Sequence, residues 1–110
     1  HGLNREYFGE NICVDREIGL EWARIPHFYT PFYVYQYATG YSAAIALSRK
    51  ILKEGPAAVK DYVTFLSGGR SKDPIDLLKG AGVDMSTAGP IQSALDLFGE
   101  LLDEMEGLMA

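Results

Sequence analysis

The most regular pattern lies toward the end of the chain. From Pro90 onward, Ile91, Ala94, Leu95, Phe98, Leu101, Leu102, Met105 and Leu108 recur at i, i+3, i+4 and i+7, the spacing of one helical face. Gln92, Asp96, Glu100, Asp103, Glu104 and Glu106 fall mostly on the other side. The pattern predicts an amphipathic helix opened by Pro90, whose missing N–H costs nothing in a first turn. Burying one large apolar side chain contributes about 1.5–3 kcal/mol, so a stripe of this length predicts a docked helix and not a free one.

Proline and glycine punctuate the rest. Thr30-Pro31 predicts a helix start and Gly55-Pro56 its end, with apolar residues around most of the circumference from Phe32 to Lys53. A helix of that kind is expected to be buried on several sides, yet a chain this short has few elements to surround it. Pro56 opens a shorter helix with Val59, Tyr62, Val63 and Leu66 on one face, and Gly68-Gly69-Arg70-Ser71-Lys72 reads as a polar loop. Asp73-Pro74 forms an N-cap and N1 pair for a brief helix over Ile75–Lys79, which Gly80 and Gly82 end. Near the start, Asp15 caps a predicted helix carrying Ile18, Trp22 and Ile25 and broken at Pro26. No alternating strand pattern appears. The reading is all-α, about four to five helices in a single segment over residues 1–110, with short connections that favour antiparallel neighbours.

Composition narrows the function classes. Hydrophobic residues make up 47% and charged residues 23% of the 110, an ordinary globular balance. No run approaches the roughly 18 uncharged apolar residues of a membrane span, and His1–Glu10 does not resemble a signal peptide. The chain does not begin with Met, which fits a processed or truncated product. Ten basic residues, scattered along the chain, face fifteen acidic ones for a net charge of −5; nucleic-acid binding wants clustered Lys and Arg instead. Cys13 is the one cysteine, which rules out an internal disulfide and a multi-cysteine metal site. Set between Ile12 and Val14, it reads as a buried structural thiol, compatible with a reducing, cytoplasmic setting.

Candidate chemistry concentrates between His27 and Tyr41. Of seven tyrosines, Tyr29, Tyr33, Tyr35, Tyr37 and Tyr41 lie in this stretch. If Pro31 starts a helix, Tyr33, Tyr37 and Tyr41 share one face at i, i+4 and i+8, while His27 sits just before it, between Pro26 and Pro31. Phenols keep their proton at neutral pH and can donate to a developing oxyanion. Aromatic residues at helical spacing equally describe a core, although each buried hydroxyl then demands a partner. Residue types alone leave both readings open. His1 and His27 are the only histidines, so the chain has no H-E-x-x-H zinc motif, and it has no G-x-S-x-G elbow, phosphate loop or dinucleotide fingerprint. The acidic residues of the last helix read as a solvated face.

Glu21-Trp22-Ala23-Arg24-Ile25-Pro26-His27-Phe28-Tyr29, followed by Phe32-Tyr33-Val34-Tyr35-Gln36-Tyr37-Ala38-Thr39-Gly40, resembles the C-terminal region of the oligoendopeptidase F family. That family is similar to thimet oligopeptidase, and both are zinc metallopeptidases. The resemblance continues through Ser42-Ala43-Ala44, Pro74-Ile75-Asp76-Leu77-Leu78-Lys79 and Ala81-Gly82-Val83-Asp84-Met85. It implies a helical fragment of a mostly helical metallopeptidase catalytic domain that encloses a channel for short peptides. It also implies a zinc ion in the complete enzyme, held by the two histidines of an H-E-x-x-H helix and a downstream glutamate, with the motif's glutamate as general base. None of those metal ligands lies in this chain. His27 matches the family's substrate-contacting histidine, and Tyr33 and Tyr37 match the tyrosines that follow it; Tyr29 and Tyr41 flank them as candidates for the same roles. The expectation is a His/Tyr wall that binds peptide and stabilises the oxyanion, inactive without the remainder of the peptidase chain and prone to self-association through uncovered faces. A helical interaction module and an autonomous structural domain are the competing readings.

Overall fold

The computed structural model describes residues 1–110 and contains helices only. Five are α-helices: α1 (Gly2–Phe8), α2 (Tyr35–Glu54), α3 (Pro56–Ser67), α4 (Pro74–Gly80) and α5 (Gly89–Met109); two 3-10 helices, Arg16–Arg24 and Pro26–Tyr29, separate α1 from α2. The all-α expectation holds. The chain divides into two compact units, residues 1–35 and residues 36–110.

In the second unit the core follows from small residues and a close-packed loop. Ala43 and Leu47 of α2 bury against Ala81 and Val83, which follow α4, with Tyr62 and Phe65 of α3, Leu78 of α4 and Met85 packed around them. α4 ends in a Schellman turn. Gly82 takes φ +85°, the Val83 N–H donates to the Leu78 carbonyl and the Gly82 N–H to the Lys79 carbonyl, both at 2.9 Å, so the left-handed residue carries no Cβ. Lys50 fastens this turn to the helices. Its ammonium donates to the Ala81 carbonyl at 2.9 Å and to Asp61 Oδ2 at 3.2 Å, and Glu54 lies one helical turn away at 3.9 Å. A Cβ on Gly82 would run into the Lys50 side chain. Gly68 also packs closely: a Cβ there would lie 2.7 Å from Leu77 Cδ2, which would have to shift.

Several boundaries fall where the punctuation puts them. Pro56 and Pro74 open α3 and α4, and Pro90 lies in the first turn of α5. Asp73 precedes α4 in extended geometry but makes no side-chain capping bond.

Several expectations need correction. α2 begins at Tyr35 and not at Pro31, because Phe32 adopts φ +56° and a left-handed residue interrupts a right-handed helix. α2 buries only Ser42, Ala43, Ile45 and Leu47, since α3, α4 and the following loop cover only part of its circumference. The Asp15-led segment is a 3-10 helix without a side-chain cap. The stripe of α5 is largely uncovered. Pro90 is its one buried residue, and Phe98 remains 63% and Leu95 59% exposed; the ties to α2 stop at mid-helix, where Arg49 donates to Glu100 at 2.8 Å and to the Ser93 carbonyl at 3.4 Å.

Residues 1–35 contain no buried residue at all. Cys13 is exposed there, not buried, since its apolar neighbours face an open groove and have no core to join. α1 was not signalled by the polar, mixed-charge N-terminus; it is tied to the following segment where the His1 ring meets the Val14 carbonyl at 3.2 Å.

Candidate functional site

The segment carrying His27 is shaped by short-range hydrogen bonds. The first 3-10 helix closes with the Ile25 N–H on the Trp22 carbonyl at 3.2 Å. Ile25 is extended, as a residue before proline prefers, and Pro26 then opens the second 3-10 turn, which places His27 and Tyr29. The Phe28 N–H returns to Ile25 at 3.2 Å and the Thr30 N–H to His27 at 3.3 Å. Thr30, again before a proline, is extended. Phe32 reverses the chain through its positive φ, so that Tyr33 comes back onto His27.

The two rings stack with centroids 5.6 Å apart and planes inclined by 27°. This contact joins two of the expected site residues by a route the helical pattern did not offer. Tyr33 lies outside α2 and does not share a helical face with Tyr37 and Tyr41. His27 is exposed and Tyr33 half-buried. Tyr29 has a different environment: its hydroxyl donates to the Ala23 carbonyl, which pins the second 3-10 turn to the first. The Arg24–Glu21 ion pair braces the same turn.

In the second unit, Tyr37 and Tyr41 stand one turn apart on α2, 70% and 69% exposed. Within this chain they join no aromatic core. The apolar side chains of residues 1–35 also border an open groove of about 640 Å³, lined by Phe8, Ile12, Cys13, Val14, Ile18 and Leu20 among others; none of the expected site residues lines it. No three His, Cys, Asp or Glu side chains come together as a metal site, and no helix is long and apolar enough to cross a membrane.

Comparison with known proteins gives this arrangement a context. Peptidase family M3 matches residues 1–97. The chain belongs to that family. It is 61% identical over 109 residues to the protein named oligopeptidase PepF of Bacillus subtilis (strain 168), covering 99% of this chain and 16% of that protein. To the chromosomal oligoendopeptidase F of Lactococcus lactis subsp. cremoris it is 41% identical over 107 residues, covering 97% of this chain and 18% of the relative. The crystal structure of oligoendopeptidase-F from Enterococcus faecium superimposes with a TM-score of 0.83 at 44% identity, over 99% of this chain and 21% of that one. This M3 chain therefore spans about a sixth to a fifth of the length of the proteins it matches.

Proposed function

We propose that these 110 residues supply the substrate-facing His/Tyr wall of an M3 oligoendopeptidase that hydrolyses short peptides. The observation that carries the reading is the stacked pair of His27 and Tyr33, exposed and half-buried respectively in a segment without a core. In this proposal His27 donates from its ring to the bound peptide, and stacking on Tyr33 fixes the plane of the imidazole. The Tyr33, Tyr37 and Tyr41 hydroxyls are the candidate donors to the carbonyl oxygen as it becomes an oxyanion, since donors set in advance stabilise charge that appears only in the transition state. Tyr29 is a positioning residue, because its hydroxyl is engaged by Ala23. Its contact with substrate is made through its ring.

The residues of this chain do not fit a zinc site, because they offer no cluster of three ligating side chains. We therefore assign no step to a metal held here and place the zinc of the complete enzyme on residues outside the chain. The partners proposed are short peptides and the remainder of the peptidase chain, in the cytoplasm.

The test is hydrolysis of a short quenched-fluorescent peptide. The full-length protein is expected to cleave it with loss of activity on chelation, the 110-residue chain alone is expected to be inactive, and adding the remaining segment is expected to restore cleavage. A folded full-length protein that cleaves no short peptide overturns the proposal in favour of a helical interaction module.

A further inference from the structure

α5 carries more apolar surface than the chain uses. Ile91, Leu95, Phe98, Leu102, Met105 and Met109 follow one another at intervals of 4, 3, 4, 3 and 4, the seam spacing of helices that pack along their length. Ala94, Leu101 and Leu108 run beside the seam and widen it on one side. A strip broader than a strict two-position seam faces a core built from more than one helix. No residue from Leu101 to Ala110 is buried or half-buried.

Charge narrows the occupant. α5 contains five acidic residues, Asp96, Glu100, Asp103, Glu104 and Glu106, and no Lys or Arg. Within the chain a cation already meets this acidic helix, the guanidinium of Arg49 on Glu100 and on the Ser93 carbonyl. A second copy would bring the same acidic helix and a further net charge of −5, and like charges across an interface disfavour that pairing. The relatives match through α5 and are about five to six times longer than the chain.

We infer that the open face of α5 seats an apolar helical surface edged with Lys and Arg, supplied by the part of the peptidase that these 110 residues do not span, and not a second copy of the chain. The inference rests on the reading of the chain as part of a longer M3 peptidase, but its readouts do not depend on peptide hydrolysis.

The experiment uses the full-length enzyme carrying Leu102→Glu or, more gently, Phe98→Ala, followed by thermal melting and light scattering. A carboxylate driven into a helix–helix seat is expected to lower Tm by roughly 5 °C or more, Phe98→Ala to lower it less, and the mass to stay that of one chain throughout. If Leu102→Glu gives no soluble protein, the melting shift of Phe98→Ala decides. Unchanged melting in both variants would place the face in solvent and overturn the inference. So would a two-chain mass that falls to one chain in Leu102→Glu, which would identify a second copy as the occupant. A folded enzyme with the expected melting shifts but no cleavage of short peptides would count against the proposed function and leave the docking surface standing.

Discussion

Residues 1–35 and residues 36–110 hold their shapes by different means. The second unit has a hydrophobic core of small and medium side chains, a Schellman turn and a lysine that ties the turn to two helices. The first has no buried residue; its chain path comes from 3-10 turns, prolines, a left-handed Phe32 and side-chain ties such as those of His1, Arg24 and Tyr29. Candidate chemistry sits mainly where the core is absent. Packing resists change in side-chain volume, whereas a turn held by local hydrogen bonds can present a ring to a ligand without leaving a cavity when that ring is altered. The two units should therefore respond to mutation in opposite ways.

The largest stability effect is expected in the second unit. Leu47→Ala removes a buried side chain from the core and should cost about 2–5 kcal/mol in a urea titration, whereas truncation of the exposed His27 should leave the midpoint unchanged. Equal losses for the two substitutions would erase the distinction between the units. Next in size is Gly82→Ala. It places a Cβ on a residue with φ +85° and against Lys50, and backbone strain of this kind costs about 1–3 kcal/mol, read as a shift of the same urea midpoint.

The smallest effect concerns acid. Hydrogen bonds from the Ser86 hydroxyl and then the Ser86 amide, aided by Lys79, hold the Asp84 carboxyl below its ordinary value of 3.8. A depressed folded-state value means that the carboxylate's contribution is present above the unfolded value and is lost as pH falls through the folded one. Asp84→Asn should lower stability slightly near neutrality, leave it unchanged in strong acid and so flatten the acid limb, as pH-dependent melting would show.

How much of this was legible depends on what each residue signals locally. Gly55-Pro56, Asp73-Pro74 and Pro90 mark helix starts because proline fits a first turn and little else in a helix, and α3, α4 and α5 begin there. Thr30-Pro31 carries the same mark, yet α2 starts four residues beyond Pro31. The cause is Phe32, whose positive φ is a conformation that bulky residues rarely adopt, so no residue-type rule announces it. The same reversal carried Tyr33 off the helical face and onto His27. A period of three to four residues fits both α and 3-10 geometry over a short span, which hid the nature of Arg16–Arg24. Cys13 reads as buried from its neighbours, but a buried thiol needs a core and residues 1–35 provide none. The His27–Tyr41 segment pointed to a family through its resemblance, and the match of peptidase family M3 to residues 1–97 bears out that membership; the site and the roles of its side chains are the proposal made above.

The most direct measurement is the turnover of the full-length enzyme on a short peptide with His27→Ala and with Tyr→Phe at positions 33, 37 and 41, each alongside its melting temperature. The account predicts that at least one of the three phenol deletions lowers kcat by about 10²–10³, the usual loss for one oxyanion donor, and that His27→Ala, which removes a contact to the bound peptide, lowers kcat/KM, all with Tm unchanged. Wild-type turnover in His27→Ala and in all three tyrosine variants would contradict it.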